Sequence, residues 1–260
     1  MHSLSAVALA TACALAAAPA RADADPDDLI TRPLVLAPGA VAAELHWAIN
    51  LQQSSFGTPM AVSPDAWVGI LLRLTIGLFH SDASLDQIAA SGSFCVRQVP
   101  LAACHQFYQG SGIDVRYSAI EGPIAIVPRL RVLLRDIDPP KPATTLGAML
   151  RWTHGRFAIQ SDPYLRLPLA NGALGNRSAI MLPLWLAVQP AARWLVALRT
   201  GFASDLAVIH DGGHVAFAAD AATRITDQVD LGLEVGWASL IGPQHDARHA
   251  AITVTAGWHD

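Results

Sequence analysis

The 260-residue sequence predicts an all-β fold, a closed antiparallel transmembrane β-barrel. Three observations predict this fold: a strict alternation of apolar and polar residues, an alternation of short and long connections, and an unusually apolar composition. We expect about twelve strands, within a range of ten to fourteen.

The composition is apolar and poor in charge. Hydrophobic residues make up 52% of the chain and charged residues 15%, against about 25% charged residues in a typical soluble domain. This balance excludes a disordered chain, which needs low hydrophobicity and a high net charge. The net charge is −4 and Lys141 is the only lysine, so we expect no nucleic-acid partner.

The N-terminus has the features of an export signal. Residues 3–20 carry no charge, a small-x-small site follows at residues 20–22, and the chain then becomes acidic. This pattern predicts a signal peptide over residues 1–22 with cleavage after Ala22; an uncleaved anchor and a lipoprotein modified at Cys13 are the alternatives. Residues 23–40 then form a periplasmic N-terminal lead, either disordered or folded as a short plug, and residues 41–260 form the barrel.

Apolar residues alternate with polar or small ones along most of the remaining chain. Between Val229 and Trp237, every second residue is apolar, and the residues between them are aspartate, glycine or glutamate. Such a period of two is typical of β-strands. The predicted strands cover residues 41–51, 59–70, 74–81, 113–120, 124–136, 144–153, 156–167, 178–189, 194–202, 214–223, 229–238 and 250–258.

Short and long connections alternate between these strands. The short ones lie at residues 71–73, 121–123, 153–155, 189–192 and 224–228. The longer ones lie at residues 52–58, 81–113, 136–142, 170–177, 204–213 and 242–249. Tight turns at one rim and longer loops at the other are typical of transmembrane barrels.

The polar face of the strands predicts the residues that line the lumen. Arginines concentrate between residues 129 and 166, and four of the five acidic candidates fall on the first, tenth and eleventh predicted strands. Two interpretations remain open: a pore with one positive and one negative wall that slightly favours anions, or a narrow lumen filled by ion pairs. The candidates are Glu44, Arg129, Arg131, Arg135, Arg151, Arg156, Asp162, Arg166, Arg199, Asp220, Asp230 and Glu234.

Aromatic residues close to the predicted turns indicate girdles at the membrane interfaces. We expect Trp152, Phe157, Trp194 and Trp258 at the rim of short turns. Phe79 and Trp237 are expected at the opposite rim.

Two cysteines remain after the predicted cleavage, Cys95 and Cys104. An even pair in an exported chain predicts a disulfide. It would cross-link the connection 81–113, which then either folds into the pore, caps it, or forms a surface loop.

Other chemistry has weaker support in the sequence. His80 and Ser81 could begin a lipase site, but neighbouring residues on a strand point in opposite directions. The histidines of segments 210–214 and 245–249 fall in predicted loops, which do not hold metal ligands in a fixed geometry. We therefore expect no enzyme activity, no metal site and no cofactor.

This layout resembles that of Gram-negative outer-membrane β-barrels. Residues 64–78, PDAWVGILLRLTIGL, are similar to a strand–turn–strand hairpin of such proteins, and an aromatic residue, Trp258, lies near the C-terminus. The resemblance implies an outer-membrane location, with the lipid bilayer, the barrel-assembly machinery and small polar solutes as partners. It implies a pore for such solutes or a structural barrel with an ion-paired lumen; a lipid-acting enzyme and a surface-binding or adhesin barrel are the alternatives.

Overall fold

A computed structural model describes residues 28–52, 56–57, 60–80, 94–97, 108, 110–243 and 248–258. Its strands are long, and successive strands are antiparallel. They are β1 (Val41–Asn50), β2 (Met60–Leu71), β3 (Leu74–Phe79), β4 (Phe94–Arg97), β5 (Ser111–Tyr117), β6 (Ile124–Ile137), β7 (Pro140–His154), β8 (Phe157–Ser161), β9 (Tyr164–Pro168), β10 (Ala179–Ala191), β11 (Trp194–Asp205), β12 (His214–Thr226), β13 (Val229–Ile241) and β14 (Arg248–Trp258).

The strands close into one ring. β1 pairs with both β2 and β14, and β8 and β9 form one interrupted strand that pairs with β7 and β10 on either side. The short β4 lies off the ring and pairs with the start of β2. The predicted antiparallel barrel of twelve strands is thereby confirmed.

The two rims of the barrel differ. At the rim where β1 begins and β14 ends, β2 and β3, β7 and β8, β10 and β11, and β12 and β13 are joined by two-residue turns. We call this the short-turn rim and the other the loop rim. The predicted long connection at residues 136–142 is wrong: β6 and β7 continue to a two-residue turn at residues 138–139, with Ile137 opposite Pro140. Lys141 and Asp136, read as loop residues, form an ion pair across that hairpin.

Side-chain burial alternates along the strands. In β6, Ala125, Val127, Arg129 and Arg131 are buried and face inward, whereas the residues between them are more exposed. The exposed side chains that cover the outer surface are mostly leucine, isoleucine and valine. An outer face of this composition is what a barrel in hydrocarbon requires, because polar side chains are costly there. Closure of the sheet removes the free strand edges.

No helix in the described ranges is long and apolar enough to cross a membrane. The helical segments in those ranges are single turns, Gly172–Leu174, Leu206–Val208 and Ile209–Gly212, on the loop side of the barrel.

The chain before β1 folds back into the short-turn end of the barrel rather than extending away from it. Residues 28–40 lie at the short-turn rim, where the backbone N–H of Gly39 donates to the carbonyl of Gly69 and the N–H of Gly69 donates to the carbonyl of Ala40. Ile30, Val35 and Ala40 are buried.

Candidate functional site

The barrel encloses a cavity of about 420 Å³ at mid-height. Its wall is charged on several sides, with five carboxylates and three guanidinium groups among the lining residues. The charged lining residues are Glu44, Asp65, Arg116, Arg129, Asp162, Arg199, Asp220 and Glu234.

One side of the cavity is a network of ion pairs between β5, β6 and the β8–β9 junction. Arg129 donates through Nε and Nη2 to both oxygens of Asp114, at 2.7 and 2.8 Å, and through Nη1 to Asp162. Arg131 donates to the same Asp162 oxygen at 2.9 Å, and Arg116 donates to Asp114 at 2.7 Å. Asp114 is fully buried. Three arginines thus share two aspartates, which compensates most of the charge in this wall.

The opposite side is acidic. Arg199 on β11 reaches across β12 and donates to Oε2 of Glu234 on β13 at 2.6 Å. The ring of His249 contacts the other oxygen of Glu234 at 2.5 Å. Asp220 lies directly opposite Glu234 in the strand register, and Glu44 on β1 accepts a 3.5 Å hydrogen bond from Thr255. Among the described residues that line the cavity, Arg199 is the only arginine on these strands, so carboxylates dominate here.

Two arginine–tryptophan stacks flank the cavity. Arg116 lies 4.7 Å from the ring centre of Trp67 on β2, and Arg199 lies 4.9 Å from that of Trp185 on β10. β2 and β10 are six strands apart in either direction around the ring, so the stacks face each other across the lumen. Trp67 lies across β3 because Gly77 leaves room for it: a Cβ there would be 2.0 Å from the indole.

An apolar layer borders the cavity on the loop side. Phe79 packs with Leu133 and Ala143, and on the other side Met181 packs with alanines of β11 and β12. Tyr164 packs against both groups. The layer therefore narrows the lumen from two sides, with Tyr164 as the side chain shared between them.

Phe79 was expected at the loop-side membrane interface, and that prediction is wrong. Its side chain is 1% exposed and points into the barrel. Thr75 and Gly77 share its face of β3, so the alternation of the strand places Phe79 inward. It lies over Gly112, where a Cβ would be 2.6 Å from the ring.

The predicted lumen residues fall into three groups. The cavity brings together Glu44, Arg129, Asp162, Arg199, Asp220 and Glu234. Arg131, Arg135 and Arg166 lie nearer the loop rim and are buried; Arg135 donates to Asn176 at 3.2 Å, and Arg166 to Asp205 at 3.0 Å.

The remaining predicted lumen residues lie at the short-turn rim. Arg151 donates to the backbone carbonyl of Arg32, and Asp230 pairs with Arg224 at 3.2 Å and also with Arg32. Arg156 lies in the turn between β7 and β8, where it is exposed and donates to the carbonyl of Pro190 at 3.0 Å. Arg156 is therefore a rim residue rather than part of the cavity.

Sequence reasoning missed two members of the charged wall, Asp114 and Arg116. The signal was present: Gly112, Asp114 and Arg116 alternate with Ile113 and Val115 in β5. Because β5 is only seven residues long, its alternation is weaker than that of its neighbours. His46 and Asp65 also line the cavity and were not selected.

The other predicted girdle residues lie near the two rims of the barrel. Trp152, Phe157 and Trp194 are exposed and lie within three residues of two-residue turns. Trp237 lies toward the loop rim against Phe217, with ring centres 6.5 Å apart. Trp258 ends β14 opposite Val41, at the short-turn rim.

Several sequence-based expectations fall beyond the part of the chain that the structure describes. The signal peptide and residues 23–27 lie outside it, as do Cys104, Ser81 and the segment 244–247. The backbone of Cys95 lies in β4. His80 donates its backbone N–H to Asp65 at 2.5 Å, and its ring contacts the carbonyl of Pro64 and lies 5.4 Å from the ring of Phe94.

No protein-family model matches this sequence, and no curated protein matches it. Solved structures do match its fold. The KdgM porin aligns with a TM-score of 0.54 and 6% sequence identity, covering 84% of this chain and 99% of the porin. The KdgM porin in complex with disordered oligogalacturonate gives a TM-score of 0.56 at 6% identity, over the same shares of the two chains.

Two further structures are similar. The NanC porin aligns with a TM-score of 0.53 and 7% identity, over 84% of this chain and all of the porin. An outer membrane channel from Pseudomonas putida F1 aligns with a TM-score of 0.53 and 12% identity, over 91% of this chain and all of the channel. The chain therefore shares the closed-barrel fold of outer-membrane porins and channels.

Proposed function

We propose that this protein is an outer-membrane channel that passes small polar solutes through its lumen. The observation that carries this proposal is the charged cavity of about 420 Å³ inside the barrel. A barrel with a purely structural role would gain stability from apolar packing of that space, whereas charged side chains along a lumen suit a wet path.

The lining charges point to the class of solute. Five carboxylates and three guanidinium groups line the cavity, so its lining carries an excess of negative charge. Arg131, Arg135 and Arg166 do not offset this excess at the cavity surface, because they are buried outside it. We therefore expect cations and neutral polar solutes to pass more readily than anions, in contrast to the slight anion preference of one of the two interpretations of the sequence.

The structural neighbours support passage as the function. They are named as porins and as an outer membrane channel, and one of them is described in complex with disordered oligogalacturonate. At sequence identities of 6% to 12%, the solute of a neighbour is not evidence for the solute of this chain.

The proposal includes the maturation of the chain. Cleavage after Ala22 would release the exported chain, the barrel-assembly machinery would insert it, and Cys95 and Cys104 would form a disulfide in the oxidising periplasm. The proposed activity is passage without a chemical step.

A liposome-swelling assay tests passage directly. Proteoliposomes would be diluted into a neutral pentose, a small organic cation or an organic anion of similar size. We expect faster swelling with the pentose and with the cation than with the anion. The absence of swelling in all three, from protein that shifts on an unboiled gel as a folded barrel does, would contradict the proposal.

One pair of variants controls for the path. Ala222 lines the cavity, and Ala219 on the same strand is exposed on the outer face. Ala222→Trp should fill the cavity and slow swelling, whereas Ala219→Trp should leave it unchanged. Equal swelling by both variants would show that solutes do not cross the lumen.

A closed structural barrel is the second candidate. The ion pairs that Arg129 makes with the buried Asp114 and with Asp162 favour it, since interior charges are stable when they are paired and hydrogen-bonded. This candidate predicts no swelling from any variant that leaves the barrel folded.

A further inference from the structure

The segment of residues 28–40 spans the mouth of the barrel at the short-turn rim. Its contacts reach β2 and β3 on one side, β6 and β7 near them, and β10 and β13 on the other. Since β2 and β10 are six strands apart in either direction, the segment crosses the opening from wall to wall.

A charged contact holds the first half of the segment. Arg32 makes a bidentate ion pair with Asp230 on β13, with one contact at 3.1 Å, and Asp230 also accepts from Arg224 at 3.2 Å. Asp230 thus joins the segment to two barrel strands. Bidentate arginine–carboxylate pairs of this kind are among the stronger polar contacts in proteins.

Two further barrel side chains bind the backbone of this half. The side-chain oxygen of Gln189 on β10 accepts from the N–H groups of Leu29 and Ile30, at 2.9 and 3.2 Å. Arg151 on β7 donates to the backbone carbonyls of Thr31 and Arg32. The barrel wall thereby satisfies backbone groups that would otherwise need water.

The second half of the segment lies on the opposite wall. The N–H of Leu36 donates to the hydroxyl of Thr75 at 2.7 Å. The carbonyl of Ala37 lies so close to Gly69 that a Cβ at Gly69 would be 1.8 Å from its oxygen. Glycine is therefore required at position 69 for the segment to sit where it does.

Apolar contacts close the remaining space. Val35 is fully buried and packs against Val127 and Met149, with Leu34 beside them. Met149 also lines the cavity. The segment is therefore directly adjacent to the floor of the cavity, between it and the short-turn mouth.

We propose that residues 28–40 are a plug that closes the short-turn mouth, and that release of the plug opens the cavity to that side. This proposal rests on the proposed function in so far as the opened path serves solutes. The segment contains no strand residue, so its release would leave the pairing of the twelve strands intact. Its closed state depends on a few side chains, chiefly Arg32, Gln189 and Val35.

A matched pair of glycine substitutions tests the plug. Gly69→Ala would overlap the carbonyl of Ala37, whereas Gly232→Ala, on an inward position of β13, would have its nearest neighbour at 3.5 Å. Neither glycine has a positive φ, so both strands accept alanine. Only the first substitution should displace the plug.

The readout is the rate at which a charged maleimide labels a cysteine inside the cavity. Gln160→Cys places a thiol in the cavity lining, and the chain that retains Gln160 measures the background from the native cysteines. We expect labelling at least about tenfold faster with Gly69→Ala, because overpacking a close contact shifts a two-state equilibrium by such a factor. Gly232→Ala should label at the unaltered rate.

Arg32→Ala provides a second route to the same state. It removes the ion pair with Asp230 but keeps Asp230 paired with Arg224, so it should also speed labelling, and it remains available if Gly69→Ala does not fold. If Gly69→Ala and Arg32→Ala, or whichever of them folds, label at the unaltered rate, the plug proposal is overturned.

Liposome swelling separates the plug from the proposed function. Faster labelling together with faster swelling supports both proposals. Faster labelling from a Gly69→Ala barrel that admits no solute supports the plug and contradicts passage. Swelling of the unaltered protein, with labelling that no variant changes, supports passage and overturns the plug.

Discussion

The guanidinium of Arg131 lies 4.6 Å from the ring centre of Tyr164. The same guanidinium lies 5.7 Å from the ring centre of Phe79. Phe79 and Met181 belong to the two apolar groups on opposite sides of the lumen. Arg131 is 1% exposed and donates to Asp162. The stack therefore connects the charged wall of the cavity to the apolar layer that narrows the lumen on the loop side.

This arrangement makes Tyr164 the side chain to test for the loop-side constriction. Tyr164→Ala should widen the lumen and increase the swelling rate, because it removes the ring that packs against both apolar groups. Tyr164→Phe keeps the ring and the cation–π contact, worth about 0.5–2 kcal/mol, and should swell as the unaltered protein does. Equal swelling rates from the two variants would show that Tyr164 does not form the constriction.

Arg129 should be essential for stability. Arg129→Gln would leave the buried Asp114 with fewer partners and weaken the contacts of Asp162, and breaking a buried ion pair costs about 3–5 kcal/mol. Urea unfolding in lipid vesicles measures the loss. Arg193→Gln is the matched control, because its contact with Asp227 spans 3.8 Å between exposed side chains and is worth about 0–1 kcal/mol. Similar losses in the two variants would contradict the buried network.

The acidic wall should determine charge selectivity. Asp220→Asn removes one lining carboxylate, and the reversal potential under a salt gradient should move toward anions. Asp227→Asn is the control, since Asp227 lies in the exposed turn between β12 and β13. A shift of the same size from both would show that surface charge, rather than the lumen, sets the potential.

The outer surface should respond to charge according to depth. Leu198 is exposed in the middle of β11, and Leu71 is exposed at the end of β2 beside a turn. We expect Leu198→Arg to lower the free energy of unfolding in lipid by about 2–4 kcal/mol, and Leu71→Arg by about 0–1 kcal/mol. Equal costs would contradict a membrane belt centred on mid-strand.

Much of the fold could be predicted from the sequence because alternation is a local signal. The period of two between Val229 and Trp237 identifies a strand and its inward face without reference to any neighbour. Prolines and charges misled the prediction for residues 136–142, since they are typical of loops. Pro140 and Pro142 instead lie in β7 close to the loop rim.

The site was less predictable because it depends on contacts between distant strands. Arg129 and Asp162 were both selected as lumen residues, but they are 33 positions apart, and their contact follows from the register of three strands. Whether residues 23–40 form a disordered lead or a plug could not be decided from composition. The contacts that indicate a plug, of Arg32 with β13 and of Leu36 with β3, join residues that are far apart in the sequence, so no local pattern predicts them.

Single-channel recording in planar bilayers tests the central claim most directly, with the unaltered protein and Gly69→Ala measured side by side. The account predicts discrete conductance steps that favour cations, and a larger mean step or a higher open fraction in Gly69→Ala. Silent membranes for both proteins, each shown by its unboiled gel shift to be a folded barrel, would contradict a solute path through the lumen.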